Sequence, residues 1–311
     1  MKYLANFSKG VKLYGALSIL LWLSYMVLTF NAPRSESRLI ANLTDLQIFY
    51  LQISVVLPIL LIWVFGFLAV FALDTYIRKI KGSEDASALK FIYWGVAILV
   101  FNLVFNSFLS SIASYYRDNE SLMINFARIR NYISVFIPII SFYFISLGSK
   151  KLLDLIKYAK DLWTQSASYI IASLSGILFA YLTFSYNLNR NMPSESDVQS
   201  YWLSDPMIAL TIILPYAIGW FFAIKAIIDF YLYSKNIQGI IFKEAFSQFA
   251  KGFLTVTSLT IALQILSAAQ AFAEANLPGI LILLYIIIII LAVGYFYIMS
   301  GSRKLLTIEK L

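Results

Sequence analysis

The stretch that decides the fold of this chain occurs twice, as LPILLIWVFGFLAVFALDTYIRKIKG at residues 57–82 and as LPYAIGWFFAIKAIIDFYLYSKNIQG at residues 214–239. The apolar part of each copy is about as long as the roughly 20 residues that an α-helix needs to cross the hydrocarbon core of a bilayer. Basic residues follow it in both copies, as they do in cytoplasmic loops. The stretch therefore predicts a membrane-spanning helix, and its recurrence predicts an internal repeat.

The offset between the two copies, 157 residues, is nearly constant along the chain. Pro58 and Pro215 each stand five residues before a tryptophan. At an offset of 153, GSKKLL at residues 148–153 matches GSRKLL at residues 301–306. Apolar sequences often match by chance, but proline, glycine and lysine positions at such regular spacing do not. We therefore predict an internal duplication.

Eight apolar runs along the chain are long enough to serve as membrane spans. They lie at about residues 11–30, 49–73, 91–114, 132–148, 167–186, 207–233, 253–273 and 279–299. Hydrophobic residues make up 60% of the chain and charged residues only 13%, against about 25% charged residues in soluble domains. The predicted fold class is all-α, a polytopic membrane bundle of eight transmembrane helices.

The duplication divides the chain into two halves of four spans each. We predict a first membrane repeat at residues 1–148, a cytoplasmic amphipathic linker at 149–165 and a second membrane repeat at 166–311. Because four is an even number, both halves enter the membrane in the same direction. The halves would then be parallel repeats, related by a pseudo-twofold axis along the membrane normal.

Charge in the loops sets the predicted orientation. Most of the 24 Lys and Arg residues fall on one side of the spans, and every lysine outside a span lies on that side. This bias places both termini in the cytoplasm. The formal charge of +8 then reflects cytoplasmic loops and a basic linker attracted to anionic lipid, rather than a nucleic-acid partner.

The chain has neither cysteine nor histidine. Their absence removes disulfides, thiolate nucleophiles, histidine-based triads and the usual zinc and haem ligands. The sequence also shows no phosphate-binding glycine loop, serine elbow or paired-carboxylate motif. We therefore expect no cofactor, no metal and no enzymatic activity.

Lys225 is the one charged residue well inside a predicted span, and Asp229 follows it by four residues. An ionisable group at that depth suggests a functional site. The spacing also allows a local ion pair, and lysine can extend its ammonium towards the interface. The corresponding positions of the first half are Leu68 and Ala72, so the charges are not part of the repeated plan. Both interpretations stay open.

Polar residues in the third and seventh spans are further candidates for a substrate path. Asn102 and Asn106 share one face of the third span, and Gln264 lies in the seventh. They could line a hydrated path or only join helices by hydrogen bonds. Likewise, Pro58 and Pro215 predict helix kinks that would act either as hinges or as fixed bends.

The stretch from Leu203 through Pro215 to Trp220, with the lysine-bearing loop and Gly239 that follow it, resembles uncharacterised multi-pass bacterial membrane proteins. The resemblance covers the half-unit twice and implies the bacterial cytoplasmic membrane. It carries no activity and no functional residue.

Two functions follow from these patterns. The favoured one is a transporter or permease that carries a small solute along the interface between the repeats. The alternative is a non-catalytic membrane scaffold, sensor or assembly factor, in which the polar groups only hold helices together.

Overall fold

The computed structural model describes residues 8–31, 44–116, 119–156, 166–167, 169–177, 206–269 and 277–307. All regular secondary structure in these ranges is helical, which confirms the all-α class. The helices are α1 (Lys9–Asn31), α2 (Asp45–Lys79), α3 (Glu84–Tyr115), α4 (Glu120–Leu155), α5 (166–167 and 169–177), α6 (Pro206–Asn236), α7 (Ile240–Ala269) and α8 (Leu277–Thr307).

Six of these helices, α1, α2, α3, α4, α6 and α8, contain a segment long and apolar enough to cross a membrane. The described part of α5 is too short to span by itself, and the side chains in the C-terminal part of α7 lie outside the described residues. Length and composition thus support a membrane protein, while the count of eight spans stays a prediction.

The turns that join α2 to α3 and α6 to α7 are built alike. Gly82 and Gly239 have φ angles of +101° and +104°, a conformation in which any other residue would be strained. The amides of Ile80 and Ile237 donate to the carbonyls of the tyrosines four residues earlier, at 3.1 and 3.0 Å. Each turn reverses the chain within a few residues, so the two helices that it joins run antiparallel.

Helix α4 extends beyond the fourth predicted span at both ends. It begins at Glu120, and its apolar segment at Phe136–Leu155 includes the start of the predicted linker. Leu152 and Leu153 are buried in the protein core. The described part of the linker, 149–156, therefore continues α4 to Leu155, and residues 157–165 lie outside the described residues.

Backbone contacts hold α3 against α4. A methyl group added to Gly148 would lie 2.8 Å from the carbonyl oxygen of Ala88. Further along the same seam, the hydroxyl of Ser141 donates to the carbonyl of Gly95 at 2.6 Å. Small residues that let two backbones approach are the usual way in which helices associate inside lipid.

Helices α7 and α8 make the same kind of contact. A methyl group on Gly252 would lie 2.9 Å from the carbonyl oxygen of Gly294, and one on Gly301 would lie 2.7 Å from that of Ala245. Gly252, Gly301 and Ala245 are the residues that the two sequence offsets pair with Gly95, Gly148 and Ala88. The same packing therefore occurs twice, at the spacing seen in the sequence.

The two halves meet through α4 with α6 and through α8 with α2. The rings of Tyr143 and Phe222 lie 5.1 Å apart at an interplanar angle of 71°. At the corresponding positions, the rings of Phe65 and Phe296 lie 5.6 Å apart at 72°. The fourth helix of each half thus packs against the second helix of the other half, with nearly the same distance and angle between the aromatic rings.

The contacts also give the helix directions. Along α4 and α6, Ile139 lies next to Gly219, and ten residues further on Ser149 contacts Asp229. These two helices therefore run parallel. Because helices that follow each other in the chain run antiparallel, α2, α4, α6 and α8 point one way and the others point the opposite way.

We predict that Gly148→Ala and Gly301→Ala each lower the free energy of unfolding by about 1–3 kcal/mol, as overpacking commonly does. The reason is that the added methyl meets a backbone carbonyl, which cannot move aside as a side chain can. Gly10→Ala is the control, since nothing lies within 4 Å of its added methyl. Thermal unfolding in detergent measures the effect, and equal stability of the three variants would contradict the backbone contact.

The helix directions predict which loops share a side of the membrane. Because the chain has no cysteine, a single introduced thiol reports only its own position. We expect Ser87→Cys and Gln238→Cys to resist a membrane-impermeant maleimide in intact cells and to react after permeabilisation. Ser121→Cys should react in intact cells. Labelling of Ser87→Cys and Ser121→Cys from the same side would contradict the alternation.

Candidate functional site

The most deeply buried charges among the described residues belong to Lys225 and Asp229, on adjacent turns of α6. The ammonium of Lys225 donates to both carboxylate oxygens of Asp229, with Nζ 2.5 Å from Oδ1 and 2.6 Å from Oδ2. Lys225 is 5% exposed and Asp229 is 1% exposed. The two residues that the sequence places on one helical face therefore form a desolvated ion pair.

The ion pair also binds α6 to α4. The hydroxyl of Ser149, which is fully buried, lies 3.2 Å from Oδ2 of Asp229 and 3.0 Å from the backbone oxygen of Ser146. Ser149 belongs to the GSKKLL motif that marks the end of the first repeat. This contact places the ion pair at the interface between the two halves.

Tyr169 of α5 covers the other side of the ammonium. The Nζ atom of Lys225 lies 4.6 Å from the centre of the Tyr169 ring, over its face. The negative potential of an aromatic face attracts a cation, and the attraction is stronger away from water. Helix α4 of the first half and helices α5 and α6 of the second half thus contribute to one small polar site.

The corresponding site of the first half carries no charge. Leu68 and Ala72 take the places of Lys225 and Asp229, and Ser302, also fully buried, takes the place of Ser149. The hydroxyl of Ser302 donates to the carbonyl of Ile298, within its own helix. The serine is therefore common to both halves, whereas the ion pair belongs to one of the two equivalent interfaces.

Asn102 and Asn106 form a second polar site, on α3. The amide nitrogen of Asn106 donates to the side-chain oxygen of Asn102 at 2.8 Å. The buried side-chain oxygen of Asn106 has no hydrogen-bond partner among the described residues. Seven residues separate Gly95 from Asn102, as seven separate Ala88 from Gly95, so Asn102 continues the face that contacts α4.

Pro138, a residue that sequence reasoning passed over, lies inside α4, seven residues before Ile145, which packs against Gly95 of α3. Proline cannot donate a hydrogen bond to the carbonyl four residues earlier, so α4 loses one helical hydrogen bond there. At the corresponding positions, the second half has Leu259, Leu263 and Leu291. The second polar site is therefore also confined to one half.

The structure does not bring the two polar sites together. Pro138 and Ser149 are separated by about 16 Å along the axis of α4, from the rise of 1.5 Å per residue. They also lie on different faces, since one faces α3 and the other faces α6. The side chain of Gln264 lies outside the described residues, so its predicted part in a common path stays a prediction.

The two repeated prolines lie inside continuous helices. Pro58 is within α2 and Pro215 is within α6, and each helix continues on both sides of its proline. Whether these positions act as hinges or as fixed bends stays a prediction.

Two contacts at the C-terminal ends of α2 and α6 differ between the corresponding positions of the two halves. Arg78 pairs with Asp74, with Nε 3.0 Å from Oδ2. At the corresponding positions, Lys235 lies over the ring of Tyr231, with Nζ 4.6 Å from its centre. Both halves therefore have a cation at this position, but its partner is Asp74 in the first half and the ring of Tyr231 in the second.

Sequence reasoning found Lys225 and Asp229 but missed the residues that complete their site. Ser149 lies 80 residues from Asp229, and Tyr169 lies on a different helix. For Ser149 there was a signal, because the GSKKLL motif keeps its serine in both halves. No signal in a single sequence points to Tyr169.

Comparisons of the chain with protein-family models, with curated proteins and with solved structures each find no match. The resemblance to multi-pass bacterial membrane proteins therefore stays a prediction, and the function has to be argued from the geometry of the chain itself.

We predict that Lys225→Leu and Asp229→Ala, made singly, each destabilise the protein by about 3–5 kcal/mol, because each leaves a buried charge without its partner. The double variant Lys225→Leu/Asp229→Ala carries the residues of the first half and should recover most of that loss. Thermal unfolding in detergent compares the three proteins.

The control for this comparison is Glu244→Ala, which removes the partner of Lys304 from an exposed ion pair at the surface. Exposed pairs contribute at most about 1 kcal/mol, so this variant should unfold close to the wild type. If the double variant lost as much free energy of unfolding as the two single variants together, the prediction would be wrong. The fold would then require the ion pair.

Proposed function

We propose that this chain is a permease-like protein of the bacterial cytoplasmic membrane, and that it carries a small solute along the interface between two parallel four-helix halves. The observation that carries the proposal is the buried ion pair of Lys225 and Asp229, present at one of two corresponding interfaces. Both termini would lie in the cytoplasm, and eight helices would cross the membrane.

Parallel duplication is supported by contacts that recur at the two sequence offsets. The glycine contacts of α3–α4 recur in α7–α8, and the aromatic pair of α4–α6 recurs in α2–α8. At the cytoplasmic end, Lys151 lies near Ser87 and Lys304 pairs with Glu244, which are again corresponding positions. A pseudo-twofold axis along the membrane normal accounts for all of these pairs.

The ion pair is better explained by a functional role than by helix packing alone. Replacing a buried ion pair by apolar residues of similar size is often neutral or stabilising. At the corresponding interface the chain has Leu68, which is 38% exposed, and the buried Ala72, so that interface is held without a buried charge. Ionisable groups inside membrane spans commonly mark substrate or ion pathways.

Parallel repeats also provide a mechanism for movement. In transporters with such repeats, one half rocks against the other around a site near their interface. In this chain the glycine positions at which an added methyl would lie within 3 Å of a backbone carbonyl belong to contacts inside each half. Between the halves, Tyr143 packs on Phe222, and Gly219 meets Ile139 at longer distances. Each half would therefore move as a unit.

The alternative is a non-catalytic scaffold, sensor or assembly factor. It is favoured by one observation, that both charges of the ion pair have hydrogen-bond partners in this structure. Under this alternative the two halves would hold one fixed arrangement.

Lipid contacts are proposed for the cytoplasmic end. Exposed lysines in the loops and helix ends there, such as Lys81, Lys150 and Lys243, would attract anionic headgroups at about 1 kcal/mol for each residue near the surface. The bilayer is thus the proposed partner, and no nucleic acid is involved.

The test is uptake of radiolabelled alkali cations, amino acids and sugars into proteoliposomes that contain the purified chain. We expect at least one solute to enter faster than into empty liposomes. Cross-linking of Tyr143→Cys/Phe222→Cys by a short bifunctional thiol reagent should slow that uptake at least tenfold, because it joins the two halves. A reducible linker should allow recovery.

A matched control is the pair Ser87→Cys/Lys151→Cys, which joins α3 to α4 inside the first half. Cross-linking of this pair should leave uptake unchanged. Absence of uptake for every solute class, or uptake that persists when the halves are joined, would contradict transport along this interface and favour the scaffold.

A further inference from the structure

The carboxylate of Asp229 is part of a small group of oxygen atoms inside the membrane. Its Oδ2 atom lies 3.2 Å from the hydroxyl oxygen of Ser149, and that hydroxyl lies 3.0 Å from the backbone oxygen of Ser146. All three residues are buried. Carboxylate, hydroxyl and carbonyl oxygens are the ligands that hard metal cations prefer.

The hydroxyl of Ser149 has one hydrogen and two neighbouring acceptors. When the hydrogen is donated to the nearer acceptor, the carbonyl of Ser146, the lone pairs of the hydroxyl oxygen are free on the Asp229 side. Ser149 can then contribute a ligand to a cation held by Asp229. The hydroxyl can therefore either donate a hydrogen bond to the carboxylate of Asp229 or bind a cation through its oxygen.

The ammonium of Lys225 already occupies the place that such a cation would take. It contacts both oxygens of the carboxylate, at 2.5 and 2.6 Å. A lysine ammonium is a positive charge on a flexible side chain, so it can move away from the carboxylate. In its present position the ammonium also lies 4.6 Å from the centre of the Tyr169 ring, a partner that does not depend on the carboxylate. The lysine could therefore give up the carboxylate without losing every partner.

We propose that Asp229 and Ser149 form a binding site for a small monovalent metal cation, such as Na⁺, which competes with the ammonium of Lys225. The proposal rests on the proposed function and names the class of its coupling ion or cargo. A single carboxylate balances one positive charge, so Na⁺ binds the carboxylate only when the ammonium of Lys225 withdraws past Tyr169, which is 40% exposed. A divalent cation would leave an uncompensated charge even then. The site lies at one interface only, because Ala72 replaces the carboxylate at the other.

The experiment measures thermal unfolding of the purified full chain in detergent, at one pH, in NaCl and in choline chloride of equal ionic strength. Lys225→Met removes the competing ammonium and leaves the oxygens. We expect NaCl to raise the unfolding temperature of this variant by about 5 °C over choline chloride, since a ligand that binds only the folded state stabilises it. The wild type should show a smaller rise, because its ammonium competes.

Two further variants locate the site. Asp229→Asn should show no difference between NaCl and choline chloride, and Ser149→Ala should lose at least half of the wild-type rise. Ser302→Ala is the matched control, since it removes the equivalent serine from the interface that has no carboxylate, and it should respond as the wild type does.

The proposal is overturned if Lys225→Met unfolds at the same temperature in both salts, or if Ser302→Ala loses the response as fully as Ser149→Ala does. Should Lys225→Met fail to fold, equilibrium binding of ²²Na⁺ to the wild type and to Ser149→Ala decides, and equal binding by both overturns the proposal. Because the assay uses detergent, it is independent of flux: a sodium response without any uptake contradicts only the transport proposal, and uptake without a sodium response contradicts only this site.

Discussion

Close contact between helix backbones is the interaction on which the rest of this structure depends. Inside lipid there is no hydrophobic force to press one apolar helix against another, so association relies on van der Waals packing at short range. Gly95 and Gly148 allow it between α3 and α4, and Gly252 and Gly301 allow it between α7 and α8. Held in this way, α4 and α8 turn another face towards the opposite half, where they pack against α6 and α2.

The two interfaces between the halves have the same shape but different chemistry. The aromatic pairs agree closely in distance and angle, and a buried serine occupies corresponding positions in both. Only one interface adds a lysine and an aspartate. At the other interface Leu68 is 38% exposed and Ala72 is buried, so that interface packs without a buried ion pair. Likewise, the places of Asn102 and Asn106 are taken by leucines in the second half. The proposed function follows from this asymmetry rather than from the repeat itself.

The charged contacts at the C-terminal ends of α2 and α6 differ between corresponding positions. A cation is kept at Arg78 and at Lys235, but its partner is an aspartate in one half and a tyrosine ring in the other. A carboxylate and an aromatic face both attract a cation, so either residue can be its partner at a helix end near water. Within the membrane the choice is narrower, because an unpaired charge there is far more costly.

The sequence by itself determined the helical class, most helix positions and the offsets at which contacts recur. It could do so because span length, loop charge and i, i+4 spacing are local properties, and the pairing of Lys225 with Asp229 depends on the last of these. Only the tertiary structure decided that Ser149 and Tyr169 complete the site. These contacts depend on which helices are neighbours and how each is rotated. Hydrophobic periodicity reveals rotation poorly in a membrane protein, because the lipid-facing and the protein-facing sides of a helix are both apolar.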